Sequence, residues 1–277
     1  MIRSASLRSR LAPLTLIVAM ALALVGCDST GPSNTNGPPT SNSGEVQVGF
    51  STSSSEATQS ASALAKAESD TLTLSGSNGT LEIHDLRLIV DKVKLEQDTE
   101  STGDDSTEVE IEREVEVERP SFLDLPLQSS EVLPVAAGDV PEGTYNEFEF
   151  EVDDLDDDEQ NARALLSDIR SEEGFPNWPE DASMVVVGTF TPSDGTPTSF
   201  TTYFEAEIEV ERTLSTPLEV TGDGFSRELV VRLDPARWFE RDNGTVEALS
   251  QFDYGETGAV REFESEFEDG VSEIEFD

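Results

Sequence analysis

Between residues 108 and 118 the chain reads EVEIEREVEVE, an acid alternating with an aliphatic residue. A strand sends successive side chains to opposite faces, whereas a helix would scatter them around its circumference. Val109, Ile111, Val115 and Val117 therefore share one face, and Glu108, Glu110, Glu114, Glu116 and Glu118 the other. The same period of two recurs in Val46, Val48 and Phe50 against Glu45, Gln47 and Gly49. It recurs in Phe148, Phe150 and Val152 against Glu147, Glu149 and Glu151, and in Phe204, Ala206, Ile208 and Val210 against Glu205, Glu207 and Glu209. A longer run passes from Leu81 and Ile83 through Leu86, Leu88 and Val90 to Val93 and Leu95. Such patterns belong to strands with one face buried and one in water.

Turn-forming clusters divide these runs: Ser77-Asn78-Gly79, Ser101-Thr102-Gly103-Asp104, Pro141-Glu142-Gly143, Ser193-Asp194-Gly195 and Gly222-Asp223-Gly224. Several short strands separated by turns predict a mainly β fold, an antiparallel β-sandwich. Two short helical stretches interrupt the pattern. Ala162, Leu165, Leu166 and Ile169 share one helical face, with Gly174 beyond the end. Asp234 and Pro235 are placed to open a helical turn ending at Phe239, as N-cap and first helical residue. Residues 57–67 fit a further short helix or a loop. The sandwich is expected over 45–240, followed by an acidic C-terminal appendage over 241–277, helical or extended, carrying Phe252, Val260, Phe263, Phe267 and Ile274.

Lys and Arg number 17 against 59 Asp and Glu, a net charge of −42. Lys66, Lys92 and Lys94 are the only lysines. A surface so charged repels itself at ordinary salt, but near 1 M the Debye length falls to about 3 Å and the repulsion is screened. The composition fits a protein adapted to high salinity. It also argues against nucleic acid as a partner, because phosphate binding needs Lys and Arg.

At the N-terminus, Arg3, Arg8 and Arg10 precede an apolar stretch from Leu11 to Leu24 that is too short to span a bilayer as a helix. It ends in Leu24-Val25-Gly26-Cys27, which resembles the lipobox of bacterial lipoproteins. That resemblance implies a signal peptide over 1–26, a lipidated Cys27 as the new N-terminus, and attachment to the membrane through the lipid. Removing 1–26 takes away three arginines and no acid, moving the net charge from −42 to −45. Arg8-Ser9-Arg10 is split, which favours the general secretion route over the twin-arginine route. Cys27 is the sole cysteine, so no internal disulfide supports the fold. With Cys27, residues 28–44 (DSTGPSNTNGPPTSNSG) make a flexible tether with a reach of roughly 20–25 Å. The expected location is the bacterial cell envelope, periplasmic or on the outer surface.

Four stretches carry a second resemblance: GTLEIHDLRLIVDKVKLE (79–96), FLDLPL (122–127), VPEGTYNEFEFEVDD (140–154) and LVVRLDPARWFERDNGT (229–245). Their order and spacing resemble uncharacterised lipoproteins of halophilic and marine bacteria that carry a β-sandwich domain of unknown function. Pro141, Gly143 and Tyr145 match the turn before that domain's central strand, and Asp234, Arg237, Trp238 and Phe239 its closing element. The resemblance implies fold and location, and it transfers no catalytic residue. Tyr145 and Trp238 read as core aromatics with a polar handle.

Familiar catalytic chemistry lacks its parts. His84 is the only histidine and falls on the polar side of Ile83, so no multi-histidine zinc site can form. A lipidated Cys27 leaves no free thiol for a Cys–His pair, and a Ser–His–Asp triad would have to use the solvated His84. Oxygen ligands are densest at Asp153-Asp154-Leu155-Asp156-Asp157-Asp158-Glu159. There Asp154, Asp156 and Asp158 are the candidates for a weak Ca²⁺ site, but the EF-hand spacing is not met and a solvated acidic loop leading into the helix is the favoured reading. No other cofactor is expected. The functional expectation is a non-catalytic binding or structural module, whose partner is an envelope protein or a glycan. The alternatives are a solute- or glycan-binding subunit of an envelope complex and a carboxylate-dependent glycosidase.

Overall fold

Most of the period-two sequence becomes strand in the computed structural model, which describes residues 42–53, 71–97, 113–127, 131–155, 161–222, 224–263 and 267–276. All of them lie in the second of two units, Ser41–Asp277. Residues 108–112 of the first run lie outside the described residues. The run Phe204 to Val210 is not one strand but breaks at Ala206 and Glu207, one strand ending at Glu205 and the next starting at Ile208. The strands are β1 (Ser43–Thr52), β2 (Leu72–Gly76), β3 (Gly79–Gln97), β4 (Arg113–Asp124), β5 (Leu133–Pro141) and β6 (Gly143–Val152). After α1 (Ala162–Ser171) come β7 (Met184–Pro192), β8 (Thr198–Glu205), β9 (Ile208–Val220) and β10 (Ser226–Leu233). The helical turns α2 (Ala236–Phe239) and α3 (Tyr254–Thr257), then β11 (Arg261–Glu262) and β12 (Val271–Phe276), complete the order.

Two sheets result. One is β12-β10-β1-β5; the other is β11-β8-β7-β3-β6-β9, with β2 and β4 also paired to β3. Strand β3 is the spine of the larger sheet. It changes neighbours midway, from β2 and β7 over its first half to β4 and β6 over its second. Its apolar residues step by three at two places, Ile83 to Leu86 and Val90 to Val93, and the ladder shifts register at both, between Ile83 and Asp85 and between Val90 and Lys92. An extra residue at each bulge restores the phase, so Leu81, Ile83, Leu86, Leu88, Val90, Val93 and Leu95 all stay on the main-core face. Strand β6 does the same between Tyr145 and Glu147, which brings both Tyr145 and Phe148 inward.

The main core lies between the sheets, with Val48, Phe50, Leu229 and Val231 on one side and Ile83, Leu86, Leu88, Phe148, Phe150, Met184 and Val186 on the other. Phe50 meets Phe150 edge-on across the gap at 5.1 Å. The architecture is the expected β-sandwich, antiparallel apart from β1 beside β10 and β11 beside β8, which run parallel. The parallel pairs join strands far apart in sequence, so the intervening chain serves as the crossover that parallel pairing needs.

The C-terminal segment holds both short helical turns, α3 among them, and the strands β11 and β12. Strand β12 pairs with β10, and Phe267, just before it, enters the core under Trp238 with the rings stacked at 4.3 Å. Trp238 Nε1 donates to the Phe267 carbonyl at 3.0 Å. A Cβ on Gly270 would lie 2.0 Å from that nitrogen, so only glycine fits there. The segment is thus sewn to the sandwich rather than hung from it. The helical turn at 234–239 forms, but Pro235 occupies the cap and no side chain caps it. The Asp234 carboxylate takes Arg237 Nε at 3.3 Å instead. Tyr145 is fully buried, and its hydroxyl donates to the Pro141 carbonyl at 3.0 Å, closing the β5–β6 corner.

Candidate functional site: an aromatic cleft on the outer sheet face

In β7, Met184 and Val186 face the main core while Val185 and Val187 point the other way, yet Val185 is also fully buried. An unbroken apolar run of this kind marks a strand covered on both faces. The second cover is α1 with the loop 172–182, which pack Ile169, Phe175 and Trp178 onto Ile89, Val185 and Tyr203.

The loop is tied down. Arg170 donates through Nε and Nη2 to the Trp178 carbonyl at 3.0 and 2.7 Å. Trp178 Nε1 donates to the Ala182 carbonyl at 2.9 Å, and the Phe175 N–H reaches the Ile169 carbonyl at 3.3 Å. Trp178 meets Phe122 at 5.2 Å, Phe175 at 5.9 Å and Tyr203 at 5.3 Å, each edge-on, and Tyr203 meets Tyr254 of α3 at 5.0 Å and 81°. A chain of perpendicular rings thus leads from under the loop to the surface.

Beside these rings opens a cleft of about 580 Å³, walled by Phe175, Pro176, Asn177, Tyr203, Tyr254 and three acids, Asp85, Glu173 and Asp253. A shallower recess of about 800 Å³ adjoins it, sharing Pro176, Asn177 and Tyr254. Both volumes fall in the range of small-molecule sites. Arg87 fixes two of the acids, with Nε on Asp85 at 3.0 Å and Nη1 on Glu173 at 2.9 Å, and Asp124 lies 3.3 Å from Nη2. Its guanidinium also lies over the Phe122 and Phe175 rings, at 5.6 and 5.1 Å. Burial opposes the Arg87 charge, but the hydrogen bond and field of Asp85, with Asp124 and Glu173, outweigh it and raise the pKa. Asp253 Oδ1 accepts the Thr201 N–H at 2.8 Å, on the edge of β8 that the two-residue β11 does not reach. Burial, reinforced by the field of Tyr254, pushes the Tyr203 hydroxyl up to about 12.

Each of the three carboxylates therefore commits one oxygen to a structural bond. The second oxygen of each has no hydrogen-bond partner among the described residues. The arrangement offers fixed acceptors around an aromatic wall, and two of the acids already share a cation, which suits holding a ligand better than transferring a proton.

Among the described residues, the other half of the same face has no such roof. There Lys92 lies 3.5 Å from Glu149 and 4.0 Å from Glu116, and Lys94 lies 3.5 Å from Glu149 and 3.4 Å from Glu114, with Glu96 in contact. Glu149 is only 5 % exposed beneath the two lysines. Burial lowers the Lys92 pKa, but Glu116, Glu149 and Glu151 outweigh it and raise it. The hydrogen bond to Glu96 leads in raising that of Lys94.

Cys27, Asp156 and Asp158 lie outside the described residues, as do 57–67. Asp154 is described, and its N–H bonds the Asp153 carboxylate at 2.7 Å. Among the described residues no three side chains are grouped to hold a metal ion, and no helix is long and apolar enough to cross a membrane. His84 is exposed between Thr71 and Thr189, at 3.3 and 3.5 Å. The cleft residues Asp85, Glu173, Asn177, Tyr203, Asp253 and Tyr254 went unmarked by sequence reasoning. The available signal was the loop GFPNWPEDA, which places two large aromatics between a helix and an apolar strand. No family model, no curated protein and no solved structure matches the chain.

Proposed function

We propose that this is a lipid-anchored cell-envelope protein of a salt-adapted bacterium, its sandwich a non-catalytic binding or structural module. The observation that carries the reading is the handover at the N-terminus. Leu24-Val25-Gly26-Cys27 resembles a lipobox, the Gly-, Pro- and Ser-rich segment follows, and β1 begins at Ser43 as that segment ends. Two or three acyl chains anchor stably, at about 0.8 kcal/mol per buried methylene. A tether reaching roughly 20–25 Å would hold the sandwich clear of the bilayer. The excess of acids supports a saline setting, and the cleft, whose acids are already bonded, supports holding over turnover. Membrane fractionation of the Cys27→Ser variant tests the anchor. Release into the soluble fraction, or accumulation of an unprocessed precursor, is expected. A native N-terminus elsewhere, without lipid by intact mass, overturns the reading.

A glycan-binding subunit is the second reading, favoured by the aromatic cleft. A glycosidase would reveal itself by polysaccharide cleavage that acid-to-amide changes abolish.

A further inference from the structure

We infer that the cleft between the 172–182 loop and α3 is a binding site for an uncharged oligosaccharide chain, an inference that rests on the module reading above and names its ligand. The carboxylates of Asp85, Glu173 and Asp253 exclude anions and ask for donors, because the oxygen of each that has no partner among the described residues can only accept. Sugar hydroxyls are donors at close spacing, and fixed carboxylates meet them at short range. Tyr254 supplies the apolar half of the recognition. It is half-buried against Tyr203 and borders both the cleft and the adjoining recess. The C–H-lined face of a pyranose ring fits such an aromatic wall, while its rim of hydroxyls turns to the acids and to Asn177.

A cationic ligand would also supply donors. In about 1 M salt, however, the attraction of a cation reaches only about 3 Å and sodium competes for every carboxylate. Recognition there rests on shape, aromatic contact and directed hydrogen bonds, which a neutral sugar chain provides without charge. The continuity of the two recesses through Pro176, Asn177 and Tyr254 gives room for several sugar units in file. The loop's backbone and side-chain ties hold the walls in place before binding, which lowers the ordering cost.

The test uses the full chain in detergent and about 1 M NaCl. Calorimetric titrations with cellohexaose, xylohexaose and maltohexaose run beside polygalacturonate and tetramethylammonium chloride. At least one neutral hexasaccharide is expected to bind. Tyr254→Ala should weaken it about tenfold or more, and Tyr254→Phe should keep it within about twofold. Glu211→Gln, on the bare half of the sheet, should change nothing. Three results overturn the inference: no neutral hexasaccharide binding, equal binding by a Tyr254→Ala variant that melts like the parent, or preference for polygalacturonate or the ammonium ion. Anchoring is read separately by fractionation. An anchored protein that binds no sugar removes this inference alone, and a soluble one that binds removes the anchor alone.

Discussion

On the outer face of the larger sheet, the half built by β7 and β8 is roofed by α1 and an aromatic loop. The half built by β4, β6 and β9 stands under two lysines and files of glutamate. One strand, β3, serves both. Along its outer edge Asp85, Arg87 and Ile89 lie under or beside the roof, and Lys92, Lys94 and Glu96 lie beyond it. Arg87 stands at the seam, holding acids from β3, β4 and the loop. The roofed half gains its stability from buried rings. On the outer face of the bare half, the described residues form paired charges, whose worth depends on salt.

Removing the ring at the centre of the roof should do the most damage. Trp178→Ala is expected to cost about 3–5 kcal/mol in denaturant unfolding, and a loss under about 1 kcal/mol would show that the roof packs loosely. On the bare half, Lys92→Met with Lys94→Met leaves Glu149 nearly buried and without its cations. About 2 kcal/mol should be lost, and adding Glu149→Gln should recover part of it. No recovery would mean the lysines stabilise by packing rather than charge.

The pH responses differ in the same way. Tyr203 is neutral when folded up to about 12, above its ordinary 10.0, so its contribution is complete below pH 10 and is lost as pH rises towards 12. Tyr203→Phe should remove that alkaline loss, about 1 kcal/mol or more. Glu151 is raised too, by burial first and then by Asp153, Asp91 and Glu209, against Lys92. Its contribution is present below the ordinary carboxylate range and disappears as pH rises through the raised value. Glu151→Gln should flatten that acid-side slope by a few tenths of a kcal/mol, and an unchanged slope would assign it to another acid.

The bare half was legible in the sequence because strict alternation states both faces at once. The bulges of β3 were not read from the sequence, although its apolar residues step by three where the ladder shifts register, because the buried face tolerates no slip. Helix α1 followed from Ala162, Leu165, Leu166 and Ile169. The roofed half was not legible. Its continuous run Met184-Val185-Val186-Val187 has no period, and contacts such as Trp178 with Tyr203 and Tyr203 with Tyr254 join residues distant in sequence. Cleft acids cannot be told from surface acids in a chain with 59 of them. The C-terminal strand was hidden for a related reason, because Phe267 stacks on Trp238, 29 residues away in the sequence.

The central claim is that an acidic, salt-screened surface surrounds a core that is stable by itself. Thermal unfolding from about 0.1 M to about 1 M NaCl tests it most directly, comparing the parent with a Glu209→Gln, Glu211→Gln variant of the exposed β9 face. The account predicts a melting temperature that climbs with salt in the parent and climbs less in the variant. A flat parent curve, or equal slopes in both proteins, would contradict it.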